Sequence, residues 1–156
     1  MKSLVVFYSR TGNTKIVAEA LAGALGADIE SIVSDTRGKG MGRLVLQTLF
    51  KTRTRIDAPK NDASLYDLVV IGTPVWARNV SGPVRTYLAQ NKSKCKTVAF
   101  FCTYGGSGSE KALKTMEKLC GRPVAGKLDV LESDVKSTAY AADVKHFAAK
   151  ILESRH

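Results

Sequence analysis

Three short stretches of this chain carry side chains and glycines suited to binding an anion or a flat ring, and each follows an apolar run of strand length. The first reads Ser-Arg-Thr-Gly-Asn-Thr at residues 9–14, where hydroxyl and amide groups can donate hydrogen bonds. The backbone N–H groups of such a turn and of the helix after it point at one spot, where the helix dipole adds partial positive charge. The stretch therefore predicts a phosphate-binding site.

Two other interpretations of residues 9–14 compete with a phosphate site. Glycine, serine and threonine are common wherever a strand turns into a helix, so a simple helix cap is one alternative. A nucleoside-triphosphate loop needs Gly-x-x-x-x-Gly-Lys followed by Ser or Thr, and no lysine follows Gly12 at that spacing. The dinucleotide fingerprint is missing here too. Hydroxyl groups without a lysine favour a terminal phosphate monoester held without a metal.

The second and third stretches combine aromatic residues with small ones. Trp76, the single tryptophan, lies in the segment 73–80 between an apolar run and the next helix. Tyr104 lies near the start of a glycine- and serine-rich segment at 103–109. Aromatic rings stack on planar ligands, and glycines let backbone amides approach a ligand closely. Core packing of Trp76 and a flexible surface turn at 103–109 are the alternatives.

Hydrophobic patterns predict the elements that position these stretches. Unbroken apolar runs indicate buried strands at 3–8, 67–72 and 96–102, an alternating pattern indicates an edge strand at 27–33, and a fifth strand is predicted at 124–131. Helices are predicted at 15–25, 43–51, 81–88, 110–120 and 138–152, with Ser81 and Ser109 as N-caps and Gly26 ending the first. This alternation predicts an α/β domain with a parallel five-stranded sheet. The stretches 9–14, 73–80 and 103–109 follow the carboxyl ends of three of its strands and should therefore meet at one edge of the sheet.

These residues resemble the flavodoxin family over essentially the whole chain. Residues 9–14 are similar to the loop that holds the phosphate of FMN, and residues 72–77 and 103–108 resemble two loops that hold its isoalloxazine ring. The resemblance implies a single flavodoxin-like domain, residues 1–156, with a doubly wound sheet in the strand order 2-1-3-4-5. It implies these FMN-binding residues: Ser9, Arg10, Thr11, Gly12, Asn13, Thr14, Thr73, Pro74, Val75, Trp76, Ala77, Arg78, Asn79, Thr103, Tyr104, Gly105, Gly106, Ser107 and Gly108.

The formal charge of +10 is concentrated in one segment. Residues 37–60 hold seven basic residues and one acidic residue, Asp57. A solvated face, a docking patch for an acidic partner, and a site for anionic lipid or nucleic acid are the three interpretations. Aromatic and basic residues do not interleave as base stacking requires, so we expect no nucleic-acid partner.

Cysteine usage and hydropathy limit the cellular context. Cys95, Cys102 and Cys120 are widely spaced and form no Cys-x-x-Cys pair, so we expect reduced, buried thiols, no metal site and a cytoplasmic protein. No apolar run reaches the roughly 18 residues of a membrane span, so we expect no transmembrane segment. The start, Met1-Lys2-Ser3, lacks a signal-peptide cleavage site.

Three functions fit this sequence. The first is an FMN-bound electron carrier without catalytic side chains that serves a redox partner protein. The second is an FMN-dependent NAD(P)H:quinone or acceptor oxidoreductase. The third is a binding module without flavin that uses the basic patch. The sequence is compatible with a monomer or a homodimer. The negative charge of acidic flavodoxins disfavours the reduced, anionic flavin. This chain is basic, its ring loops contain no Asp or Glu, and Arg78 is next to the ring loop. We therefore expect a less negative reduction potential of the flavin and an acidic partner protein.

Overall fold

The computed structural model describes residues 1–35, 40–43, 46 and 54–154, and a parallel sheet forms its centre. Its strands are β1 (Ser3–Phe7), β2 (Asp28–Ser31), β3 (Leu68–Trp76), β4 (Asn79–Val80), β5 (Thr97–Tyr104) and β6 (Val124–Leu131). Five of them lie in the order β2-β1-β3-β5-β6 with every neighbouring pair parallel. The predicted order 2-1-3-4-5 is confirmed, and the short β4 is an addition that pairs antiparallel with the end of β3.

Helices cover both faces of the sheet: α1 (Asn13–Leu25), α2 (Gly82–Asn91), α3 (Ser109–Cys120), α4 (Glu132–Ser137) and α5 (Tyr140–Glu153). Successive side chains of β1 and β3 point to opposite faces, as strand geometry requires. Leu4 and Val69 join a core beneath α2 and α3, whereas Val5 and Val70 join a second core beneath α1 and α5. Burial on both faces explains why these strands read as unbroken apolar runs.

Several predicted boundaries differ from the structure. The first helix begins at Asn13, two residues earlier than predicted. Gly26 ends it, as predicted, and this glycine adopts the left-handed conformation. The final helix, predicted at 138–152, is α5 and spans Tyr140–Glu153. The sequence did not predict the short α4 before it, which ends where Thr138 adopts a φ of 66°. The predicted helix at 43–51 lies outside the described residues except for Arg43 and Leu46. The basic segment 37–60 is described only at 40–43, 46 and 54–60.

The central strands pack without room for an extra atom at one position. Gly72 of β3 pairs with Phe101 of β5, and a Cβ atom at Gly72 would overlap the Phe101 ring. All three cysteines are free and buried, as predicted. Among the helices of the described ranges, none has the length and apolar character needed to cross a bilayer.

Candidate functional site

The carboxyl ends of β1, β3 and β5 enclose a cleft of about 280 Å³. We call it the strand-end cleft. The three predicted stretches all contribute to its wall, together with two residues from other parts of the chain. The lining residues are Arg10, Thr11, Thr14, Met41, Pro74, Val75, Trp76, Ala77, Thr103, Gly105 and Glu132. Three segments far apart in sequence therefore meet at one edge of the sheet.

The turn from β1 to α1 has the geometry of an anion site. Gly12 is the N-cap of α1 with a φ of 102°, and its N–H donates to Ser9 Oγ at 3.1 Å. The first backbone bond of the helix runs from Ile16 N–H to the Gly12 carbonyl, at 3.1 Å. The N–H groups of Asn13, Thr14 and Lys15 precede that bond, so the helix provides them with no acceptor. Ser9 fixes the shape of the turn, and the helix supplies donors.

A buried pair of hydroxyl groups joins the first stretch to the third. Thr14 Oγ1 lies 2.7 Å from Thr103 Oγ1, and either oxygen could be the donor. Both side chains line the strand-end cleft, although they are only 2% and 1% exposed. Each hydroxyl has one proton and the pair uses one of them, so the other proton remains for a further acceptor. This contact fixes the start of α1 relative to the end of β5.

Residues 73–80 form a β-hairpin where the sequence predicts a loop. β3 continues to Trp76, and Val75 and Trp76 pair with Val80 and Asn79 of β4. Ala77 and Arg78 form the turn with φ values of 48° and 59°. Two central residues with positive φ are the mark of a type I′ hairpin turn, which normally uses Asn and Gly. The sequence carries no such signal, so pattern reasoning missed the hairpin.

Buried polar contacts hold the base of this hairpin. Thr73 Oγ1 lies 3.0 Å from Ser81 Oγ and accepts a bond from Ser81 N–H at 3.1 Å. Asn79 Oδ1 accepts from Arg85 Nη2 at 3.2 Å and from Val80 N–H at 2.9 Å. Ser81 occupies the N-cap position of α2 as predicted, but its hydroxyl makes no capping bond to the helix. Thr73 and Asn79, predicted as ligand contacts, are buried supports of the hairpin and do not line the strand-end cleft.

The two aromatic residues of the predicted ring site differ in position. Trp76 lines the strand-end cleft but is only 7% exposed, and its ring meets the Tyr8 ring edge-on at 5.5 Å between centroids. Tyr104 is half-buried and is not among the described lining residues. Burial, with the nearby carboxylate of Asp129, raises the pKa of Tyr104. The structure brings Trp76 to the cleft wall and leaves Tyr104 beside it.

The glycine-rich stretch packs against the hairpin turn. Gly108, not Ser109, is the N-cap of α3, with a φ of 96°. A Cβ atom at Gly108 would lie 2.5 Å from Arg78 Cα, so only glycine allows this approach. The Ser109 hydroxyl donates instead to Asp129 at 2.9 Å. Gly106 and Ser107 are exposed and lie outside the strand-end cleft.

Two lining residues escaped the sequence analysis. Met41 comes from the glycine-rich segment before β3, and Glu132 is the first residue of α4. Glu132 directly follows β6, and the carboxyl end of a parallel strand was the signal that could have identified it. The two predicted ring loops themselves contain no Asp or Glu, but the Glu132 carboxylate from α4 stands near Gly105 in the wall of the cleft.

Comparisons with known proteins agree with this architecture. A family model described as Flavodoxin matches residues 43–146. A flavoprotein of Lactobacillus acidophilus, solved in complex with FMN, superposes with a TM-score of 0.70 at 24% identity, covering 88% of this chain and 98% of that one. A proposed flavoprotein of Bacteroides eggerthii gives 0.70 at 26% identity over 88% and 94%. The two-electron reduced flavodoxin of Megasphaera elsdenii gives 0.62 at 19% identity over 95% and 98%.

Proposed function

This chain belongs to the flavodoxin family, and from that premise we propose that it binds FMN in the strand-end cleft and transfers electrons to a partner protein. The observation that carries the proposal is the meeting of three stretches at the ends of β1, β3 and β5. FMN has a phosphate at one end and a planar ring at the other. The cleft offers a helix N-terminus to the first and an apolar wall to the second.

The turn at residues 9–14 would hold the phosphate. The N–H groups of Asn13, Thr14 and Lys15 lie in the first turn of α1, where the helix dipole favours negative charge. The Thr11 hydroxyl is exposed and lines the cleft, so it can add a donor. A hydroxyl-rich turn of this kind binds a monoester through hydrogen bonds and does not need a metal.

The hairpin and the end of β5 would hold the ring. Pro74, Val75, Trp76 and Ala77 give the cleft a largely apolar wall, and Thr103 and Gly105 contribute to its lining. Backbone groups at Ala77 and Gly105 can bond the polar edge of a ring without any side chain. When bound, FMN supplies reversible one-electron chemistry, while the protein sets its orientation and its access to water. The hairpin contacts at Thr73 and Asn79 keep this wall rigid.

Titration with FMN and with riboflavin tests the proposal. Riboflavin has the same ring and lacks the phosphate, so it isolates the contribution of the turn at residues 9–14. We expect quenching of flavin fluorescence at one FMN per chain, with riboflavin bound about 100-fold more weakly because charge-assisted bonds to the phosphate are lost. Equal affinities would overturn the placement of the phosphate, and an absence of FMN binding would overturn the whole proposal.

An FMN-dependent NAD(P)H:acceptor oxidoreductase is the second candidate. An open cleft of about 620 Å³ beside Arg78 favours it, because a nicotinamide nucleotide needs space and positive charge near the ring. Steady-state NADPH consumption by the FMN-loaded protein separates the two candidates. Sustained turnover would favour the oxidoreductase, and negligible turnover would favour the carrier.

A further inference from the structure

A second cleft lies between the hairpin turn and α3 and is open to solvent. We call it the α3 cleft, of about 620 Å³, lined by Arg78, Gly108, Ser109, Glu110, Lys111, Lys114, Thr115 and Lys118. Four of these residues are cationic and one is anionic. This concentration of charge lies outside the basic segment 37–60, and no sequence motif indicates it.

The lysines of the α3 cleft form a row along one helix face. Lys111, Lys114 and Lys118 are all exposed, and their spacing puts them on one side of α3 over a length of about 10 Å. Lys114 forms a 2.9 Å ion pair with Glu110. Within the described ranges, no carboxylate lies at ion-pair distance from Lys111, Lys118 or Arg78. The row therefore presents net positive charge to solvent.

The α3 cleft shares its wall with the strand-end cleft. Ala77 lines one cleft and its neighbour Arg78 lines the other. Gly105 lines the strand-end cleft and Gly108 lines the α3 cleft. Gly108 also packs directly on the Arg78 backbone. A molecule seated on the lysine row would thus lie against the hairpin turn that borders the proposed ring site.

We propose that the α3 cleft is the docking surface for an acidic partner protein that receives electrons from this chain. The inference rests on the proposed function, and it specifies the chemistry and the place of the partner. Carboxylates spaced over about 10 Å match the lysine row, and opposite charges accelerate encounter and fix orientation. A dinucleotide is the competing occupant, but none of the lining residues is aromatic, so the cleft offers no ring to stack on a nicotinamide or adenine.

Zero-length cross-linking locates the docking surface directly. A carbodiimide joins lysine amines to carboxylates that touch them, and cytochrome b5, an acidic haem protein, serves as the probe. We expect cross-linked peptides to concentrate at Lys111, Lys114 and Lys118. Cross-links concentrated at Lys39, Lys51 and Lys60, or spread evenly over the surface, would overturn the proposal. This readout does not depend on flavin, so it separates a failure of docking from a failure of FMN binding.

Electron-transfer rates test whether docking serves the proposed function. The FMN-loaded protein is reduced with dithionite, and each ferric haem of cytochrome b5 gains one electron from it and becomes ferrous. We compare K111Q/K114Q/K118Q with the control K136Q/K145Q/K150Q, which removes the same charge from exposed positions on α4 and α5. We expect the second-order rate at low salt to fall about tenfold in the first variant and less than twofold in the control.

The nucleotide alternative is tested on the same variants. NADPH binding is measured by its fluorescence with the FMN-loaded wild type and with K111Q/K114Q/K118Q. We expect no saturable NADPH binding that depends on the lysine row. Saturable binding lost in K111Q/K114Q/K118Q, or equal rate losses in the two triple variants, would overturn docking of an acidic protein at this cleft.

Discussion

At the scale of single residues, Gly12 is the position where backbone conformation matters most for the candidate site. Its φ of 102° is a backbone conformation that is strained for any residue with a Cβ atom. A Cβ atom at this position would nevertheless meet no other atom within 4 Å. The need for glycine is therefore conformational and not steric. The same residue is the N-cap of α1, so the N–H groups that the helix leaves without an acceptor follow directly after it.

Replacing Gly12 with alanine should strain the turn at residues 9–14. We expect a loss of about 1–2 kcal/mol in the free energy of unfolding, the usual cost of left-handed backbone at a residue with a side chain. FMN affinity should fall as well. The matched control is Gly23→Ala, an exposed glycine within the same helix, which should stabilise the protein by about 0.5–1 kcal/mol. Urea denaturation measures both; equal effects of the two substitutions would contradict this account.

The charge of Arg78 should act on the flavin. Arg78→Glu should make the reduction potential more negative, because a nearby anion disfavours the negatively charged reduced ring. Lys136→Glu, an exposed position that lines neither cleft, makes the same change in net charge. Its effect should be small in 0.15 M salt, where charges more than about 8 Å apart are largely screened. Spectroelectrochemical titration of both variants decides the point, and identical shifts would remove the special role of Arg78.

At the scale of secondary-structure elements, the hairpin of β3 and β4 connects the two clefts. Its turn holds Ala77 and Arg78 at positive φ, which costs energy and persists only when the surrounding contacts enforce it. The Thr73–Ser81 contacts and the Asn79–Arg85 bond provide that enforcement from buried positions. Rigid support of this kind keeps a binding wall in place before a ligand arrives.

Thr73→Val should loosen the hairpin. Valine has nearly the shape of threonine, but it leaves the buried Ser81 N–H and hydroxyl without their partner. We expect a loss of about 1–3 kcal/mol in the free energy of unfolding and faster hydrogen exchange at Val80 and Ser81. Thr115→Val is the control, because its hydroxyl bonds the Lys111 carbonyl on the exposed face of α3. An unchanged stability of Thr73→Val would show that these contacts do not support the hairpin.

The sequence predicts elements well where the pattern is local and poorly where tertiary contacts decide. β6 spans Val124–Leu131 as predicted, and the order of the parallel strands is confirmed. The hairpin was missed because Ala77 and Arg78 are unusual turn residues held by distant partners. Ser109 looked like an N-cap, but Asp129 of β6 binds its hydroxyl. Glu132 reaches the cleft from a segment that no motif includes.

At the scale of the whole molecule, the central strands β1, β3 and β5 are buried on both faces, and the three thiols lie in the core on one of these faces. Burial raises the pKa of Cys95 to about 11 and that of Cys102 to about 12, from an ordinary value of 9.0. At a pH between the unfolded and folded pKa values, the thiol stays protonated in the folded chain and is ionised in the unfolded chain. The folded state then binds more protons than the unfolded state at alkaline pH.

Stability should therefore fall as the pH rises. The contribution of these thiols is complete below about pH 9. It is lost between pH 9 and about 11 for Cys95 and between pH 9 and about 12 for Cys102, at about 1 kcal/mol per pH unit for each thiol. Urea denaturation of the wild type and of C95A/C102A across this range measures the slope. The double variant should be less stable at neutral pH, because cavities form, but its stability should fall less steeply. Parallel slopes would contradict the assignment.

Charge is the property of the whole chain that most separates it from an acidic carrier. The net charge of +10 lies partly in the segment 37–60 and partly along α3 beside the strand-end cleft. Long-range attraction would bring an acidic protein to the molecule, and the α3 cleft would determine where it settles. The Glu132 carboxylate, close to Gly105, moderates the positive field inside the strand-end cleft itself.

Amide chemical shifts of the ¹⁵N-labelled protein, followed during titration with FMN, test the central claim most directly. We expect saturable changes at one FMN per chain that concentrate at residues 11–15, 75–78 and 103–106, because these segments border the strand-end cleft. Changes at residues 11–15 should be absent with riboflavin. Unchanged spectra, or changes centred on another face such as α5, would contradict the proposal that the ends of β1, β3 and β5 hold the flavin.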